Sequence, residues 1–265
     1  MPKRDKLPIV DYNGLNCDSE NMCVQKSKPL QSLAETDLTL PEFKILDAYL
    51  ARIDSHDPNK KSVRFEKGEL ERLLGLSRIL KDDLDKRLRH LFQVIEIKDE
   101  SKDNGFTLIS LFEEAKAEQD ENEQWQITLS CTTAAREYIF NIDNIGYLKY
   151  RLKNIINLTS RYSYILFLYL LDNRYRSPWK IEFSKLKEML GCTSETYTQY
   201  YRFNDLILKR VKKELEEKTD LRFTYEPKKK GRKIVDIEFS AYVTNNSDKM
   251  LQETPKKNLS QDKNP

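Results

Sequence analysis

Apolar residues recur along this chain at helical spacing in two similar blocks. The first opens with Leu40-Pro41-Glu42-Phe43-Lys44-Ile45-Leu46-Asp47-Ala48-Tyr49-Leu50. The second runs from Ser160 through Ile165-Leu166-Phe167-Leu168-Tyr169-Leu170-Leu171. Pro41 suits a first helical turn, where its missing N–H costs nothing. A short β-like piece follows each helix, Val63-Arg64-Phe65 and Ile181-Glu182-Phe183. Then come Leu70-x-x-Leu73-Leu74-Gly75 and Leu186-x-x-Met189-Leu190-Gly191. Each reads as a short helix stopped by glycine. A longer amphipathic helix is next in both blocks. One starts near Ser77 and carries Leu80, Leu84, Leu88 and Leu91. The other runs from about Ser194 or Thr198 to Lys218, with Phe203, Ile207, Val211 and Leu215 every four residues and Leu206 beside them.

The period then falls to two, the mark of half-buried strands. In the first block Phe92 to Ile97 and Phe106 to Phe112 flank a polar loop ending in Asn104-Gly105, which predicts a hairpin. In the second, Leu221, Phe223 and Tyr225 alternate with Arg222 and Thr224, and Val235, Ile237 and Phe239 with Asp236 and Glu238. An acidic stretch, Glu113 to Gln124, separates the first hairpin from an extra strand, Trp125 to Ser130, and a helix near Thr132 to Phe140.

Helix, strand, helix, turn, helix, hairpin is the order of a winged helix, and the pattern occurs twice. The expected fold class is α+β, mainly helical, with two tandem winged-helix domains related by a pseudo-two-fold internal repeat. The expected bounds are a mobile arm over 1–30, the first winged helix over 31–143, the second over 144–243 and a disordered tail over 244–265. The tail is polar and cannot repay its ordering entropy.

Composition removes several function classes. The chain has 265 residues, enough for one or two domains. No run approaches the ~18 apolar residues that span a bilayer. Met1 to Val10 is charged and holds no apolar stretch of signal-peptide length, which predicts a cytoplasmic protein. Cys17, Cys23, Cys131 and Cys192 are scattered and read as reduced thiols. The seven glycines match neither a P-loop nor a dinucleotide fingerprint. His56 and His90 are too few and too far apart for a His-based metal site, and each reads as surface or core filler. No catalytic residue, metal or cofactor is therefore expected. Tyr162, Tyr164, Tyr169, Tyr175 and Trp179 surround the second block's first helix. They read as core packing ahead of base stacking.

The net charge of +3 hides an asymmetry. Residues 1–147 hold 21 basic and 28 acidic side chains, whereas residues 148–233 hold 21 basic and 10 acidic. The second block is thus the candidate partner of a polyanion. On a helical wheel its long helix turns Arg202, Asp205, Lys209, Lys212, Lys213 and Glu216 away from the apolar stripe. Tyr197, Thr198, Gln199, Tyr201 and Asn204 lie about its start. A helix in the major groove offers its first residues to base edges and later turns to phosphates. A solvated face carries similar charge, so the helix alone is ambiguous. The loop after it adds weight, because Lys228, Lys229, Lys230, Arg232 and Lys233 are five cations within six residues. In register with such a helix they form a wing suited to a phosphate backbone. The first block is the contrast. Its hairpin loop is nearly neutral, and Asp82, Asp83 and Asp85 near the start of its third helix would repel phosphate. Self-association and ordinary core packing explain its apolar residues equally well.

The segment Leu148 to Phe239 resembles the tandem winged-helix plasmid replication initiators of the Rep-3 superfamily. The resemblance lies in Leu158-Thr159-Ser160-Arg161-Tyr162-Ser163, in Tyr200 to Leu206, in Lys213 to Leu221 and in Tyr225 to Lys233. Leu38 to Leu91 is similar to the family's first winged helix, less specifically. The resemblance implies binding of double-stranded DNA at iterons, the direct repeats of a plasmid origin, with origin opening and recruitment of host replication proteins. It further implies a homodimer in equilibrium with monomer, the dimer repressing its own gene, and no enzymatic activity. Family members often carry a proline late in the recognition helix. Ile207-Leu208-Lys209-Arg210-Val211-Lys212 has none, which predicts a straighter helix. Two other readings remain: a winged-helix transcriptional regulator without an initiation role, and an enzyme such as a nickase or primase, disfavoured by the missing His cluster and phosphate loop.

Overall fold

The computed structural model describes residues 22–98, 105–140 and 142–244. The first part holds β1 (Cys23–Ser27), α1 (Lys28–Gln31), α2 (Leu40–Leu50), β2 (Ser62–Phe65), α3 (Glu69–Leu74) and α4 (Lys81–Leu91). Next come β3 (Val94–Lys98), β4 (Phe106–Ser110), β5 (Phe112–Gln119) and β6 (Trp125–Cys131). Short helices α5 (Arg136–Phe140) and α6 (Ile142–Ile145) lead to β7 (Tyr147–Arg151), α7 (Lys153–Ile156) and α8 (Arg161–Asn173). The chain continues through β8 (Trp179–Glu182), α9 (Phe183–Met189), α10 (Tyr200–Phe203), α11 (Lys209–Lys218), β9 (Leu221–Lys230) and β10 (Lys233–Val243).

Helix α2 begins where the sequence predicts. Pro41 sits in its first turn, and the Thr39 N–H donates to Glu42 Oε2 at 2.6 Å, within a capping box. His90 of α4 reaches the same carboxylate with Nδ1 at 2.8 Å and Asp37 with Nε2 at 3.1 Å. This histidine is therefore neither inert surface nor apolar filler. Partial burial disfavours its charged form, but the bonds to Glu42 and Asp37 prevail and raise its pKa above the ordinary value. Gly75, just past α3, has φ of 71°, a left-handed position that ends the helix and would strain any side chain.

The two units share one sheet plan, order β2-β6-β5 in the first and β8-β10-β9 in the second, all antiparallel. The hairpin expected for the first unit forms, as β3 paired with β4, but it stands outside this three-stranded sheet. The wing of the first unit is β5–β6. The acidic stretch is not a separator, because Phe112–Gln119 is itself a strand. It hides in the sequence because β5 is an edge strand, where exposed charges blunt further pairing. The loop between β3 and β4 lies largely outside the described residues, as do residues 1–21 and the tail beyond Thr244.

The expected arm over 1–30 is also corrected for its last residues. Cys23–Ser27 pairs with Tyr147–Arg151, so β1 joins a strand on the far side of the first unit. This small sheet lies in the seam between the winged helices. The seam is further held by Arg161, whose guanidinium donates to the carbonyls of Leu38 at 2.9 Å, Ala34 at 2.9 Å and Thr36 at 2.6 Å. Lys44 Nζ donates to the Ile156 carbonyl at 2.8 Å. Tyr164 is fully buried and stacked on Phe43, and Trp179 Nε1 donates to Tyr169 OH at 2.9 Å, so these aromatics are packing groups. Tyr175 alone of the five is largely exposed, at 72%.

Candidate nucleic-acid interface

The long helix of the second unit starts later than the sequence suggests. Glu195–Tyr197 is a 3₁₀ turn, Gln199 is the extended N-cap residue, and helical geometry begins at Tyr200. Tyr197, Thr198 and Gln199 therefore precede the helix, with the Thr198 hydroxyl donating to the Glu195 carbonyl at 2.7 Å. Between α10 and α11, Asn204–Leu208 forms a π turn within one unbroken helix, a local irregularity at the place where the family's proline is absent. The sequence holds the reason. Apolar residues every four positions drift by about 40° per step on a 3.6-residue helix. A wider π turn takes up that drift. Phe203, Ile207, Val211 and Leu215 all end up buried, each worth roughly 1.5–3 kcal/mol.

Tyr201, Arg202, Asp205, Lys209 and Lys213 are exposed on this helix. Arg202 Nε donates to Tyr201 OH at 3.0 Å, which holds the guanidinium beside the helix start. Asn204 is half-buried, and its Oδ1 accepts from Tyr225 OH at 2.7 Å. It ties the helix to β9 and is not a free base-reading group. Lys209 pairs with Asp205 at 2.7 Å, Lys212 with Glu216 at 3.7 Å and Lys213 with Glu217 at 3.9 Å. Pairs of this kind contribute about 0.3–0.5 kcal/mol on a helix surface, so a phosphate can displace them readily.

The basic segment is not the loose loop the sequence suggests. Strand β9 continues to Lys230 and β10 starts at Lys233, leaving a two-residue turn of Gly231 and Arg232. Gly231 has φ of 63°, as the first central residue of a tight hairpin turn demands. Pro227 is tolerated within β9 because that strand is an edge. The wing is thus a β-hairpin carrying Lys229, Lys230, Arg232 and Lys233 at its exposed end. Lys228 is drawn back between Glu226 at 3.0 Å and Glu238 at 2.7 Å, bonds that raise its pKa. The matching turn of the first unit is Asp120 to Gln124, where Asp120 Oδ1 accepts from the backbone N–H groups of Asn122 and Gln124 at 2.9 Å. Equivalent wings therefore carry opposite charge.

Beside the long helix, a cleft of about 430 Å³ opens against the start of α8. Glu214 forms one wall. It accepts from the Thr159 N–H at 2.7 Å, the Thr159 hydroxyl at 2.6 Å, Lys218 at 2.8 Å and the Ser163 hydroxyl. Burial opposes its charge, but these bonds win and hold its pKa at about 2. Arg210 also lines this cleft and was not among the candidates from sequence. A regular wheel places it beside the apolar stripe, and Ile207 and Val211 of that stripe line the same cleft. Among the described residues, no group of three or more His, Cys, Asp or Glu could hold a metal, and no helix is long and apolar enough to cross a membrane.

Residues 23–171 match the family model described as Initiator Replication protein, WH1, and residues 182–241 match Initiator Rep protein, WH2. The chain belongs to the initiator Rep protein family. The WH1 match runs on through β7 and α7 into α8, beyond the 143/144 boundary expected from the repeat, and the WH2 match begins at the end of β8. Among solved structures, this Rep protein is similar to the Pi initiator protein, solved in complex with iteron DNA. Identity is 20%, the TM-score is 0.62, and the match covers 84% of this chain and 98% of that one. At that identity the likeness is one of fold. No curated protein matches this Rep protein.

Proposed function

We propose that this protein initiates plasmid replication by binding direct repeats of the origin as double-stranded DNA through its second winged helix. The observation that carries this reading is the contrast between equivalent wings, a basic β9–β10 hairpin beside an exposed helix start in the second unit and an acidic turn in the first. The Pi initiator of similar fold was solved with iteron DNA, which supports the same partner here. Tyr201 and Arg202, with Thr198 and Gln199 ahead of them, take the position of base-reading groups. Lys209, Lys213, Lys229, Lys230, Arg232 and Lys233 take that of phosphate contacts, while Tyr197, Asn204, Asp205, Lys212 and Lys228 orient or neutralise their neighbours. The domain division is that of the repeat, with the 22–30 strand and turn assigned to the seam. Host replication proteins and a monomer–dimer equilibrium belong to the same proposal, with the first winged helix as the self-association unit and DNA binding, without catalysis, as its role. The test is fluorescence anisotropy on the protein's own upstream repeats and a shuffled duplex over several salt concentrations. A preference of about 10³-fold or more supports specific recognition. Equal, salt-sensitive binding to both would reduce the second unit to a polyanion-binding module.

A further inference from the structure

The cleft between α8 and the long helix contains a cation whose state differs from its neighbours. Lys209, Lys212, Lys213 and Lys218 each face an acid four residues away. Arg210 makes no hydrogen bond or ion pair with any described residue, and it is exposed. The carboxylate that could have neutralised it, Glu214, is engaged elsewhere, by Thr159, Ser163 and Lys218. The cleft is also lined by Ser160, which makes no capping bond to its own helix, and by Glu217, which faces Lys213. An unpaired guanidinium beside the Ser160 hydroxyl matches a phosphodiester, which guanidinium binds in a two-pronged fork that an ammonium cannot copy.

We propose that this cleft seats one backbone phosphate of the bound duplex, with Arg210 as its principal ligand and Ser160 beside it. The site rests on the DNA-binding reading of the second unit and adds a grip that neither the wing nor the helix start provides. Lys213, which also lines the cleft and faces Glu217 at 3.9 Å, adds charge.

The experiment compares wild-type protein with Arg210→Gln, Arg210→Lys and Ser160→Ala, using anisotropy against salt on repeat and shuffled duplexes. Single methylphosphonate linkages are then scanned through the repeat. Arg210→Gln is expected to weaken both duplexes equally and to lower the slope of log K against log salt by about 0.9, one phosphate's worth of counterions. One methylphosphonate position should weaken the wild type and leave Arg210→Gln unaffected. Arg210→Lys should keep the slope but lose affinity, and Ser160→Ala should lose affinity at that same linkage. Thermal melting of each variant controls for folding. An unchanged slope in Arg210→Gln, with every methylphosphonate penalty retained, would overturn the cleft while leaving duplex binding intact. Failure of the wild type to bind any duplex would instead remove the DNA-binding reading and the cleft with it.

Discussion

Lys26 and Asp47 meet at 3.3 Å in the seam between the winged helices, with 1% and 0% of their side chains exposed. Lys26 belongs to the strand ahead of the first unit and Asp47 to the first unit's leading helix. Tyr150 and Tyr164 complete the cluster. Lys26 donates to Tyr164 OH at 2.7 Å, and the two hydroxyls donate to Asp47 at 2.8 and 3.1 Å. Burial pushes the Lys26 pKa down and the attraction of Asp47 pushes it back up, the net direction being downward. Four segments far apart in sequence thus share one desolvated ion pair, which fixes how the two units sit.

Breaking this pair should be costly. Lys26→Met or Asp47→Asn alone is expected to destabilise the protein by about 3–5 kcal/mol, because each leaves a buried group without its partner. The double variant should lose much less than the two combined. Urea unfolding of all four proteins measures the coupling, and simple additivity would mean that the charges do not interact.

Acid should loosen the second unit through Glu214. Its pKa is about 2 in the folded protein against an ordinary 4.5, so its stabilisation is complete above about pH 4.5 and is lost as pH falls toward 2. Melting temperatures of the wild type and Glu214→Gln should therefore converge as pH drops through that window. A gap that stays constant down to pH 2 would contradict the assigned bonds.

Arg202→Ala should reduce affinity for the repeat by about 1–3 kcal/mol and relax base preference at one position of the site. Binding to a set of single-base-substituted duplexes locates that position. If every duplex keeps its rank, Arg202 does not read a base.

Neutralising the wing should act differently. Replacing Lys229, Lys230 and Arg232 with Gln is expected to weaken specific and shuffled duplexes alike and to flatten the salt slope by up to about 0.9 for each phosphate no longer neutralised. A loss confined to the specific repeat would place the wing in base recognition instead.

Local periodicity sufficed for part of this protein. The capped start of α2, the glycine after α3, the alternation of β9 and of β10 from Ile237 onward and the doubled helix–strand–helix order all follow from neighbouring residues, whereas a register shift between Ile234 and Asp236 leaves Val235 exposed. The collection of basic charge beside an apolar stripe was likewise legible, although the helix begins at Tyr200 and the strands extend into the basic segment. Pairing partners were not. Phe112–Gln119 has the charge of a loop and becomes a strand only because β6 lies beside it, and Cys23–Ser27 becomes one only because β7 does. The π turn was hidden in a four-residue spacing that looks like an ordinary stripe until the core requires all four side chains to be buried. Sequence determined which segments could form helices and strands and where charge collects, because those depend on a few residues at a time. Tertiary structure alone decided which strands pair, where the ion pair of Lys26 and Asp47 is buried and which cations are left without a partner, because each depends on groups distant in the chain meeting in one place.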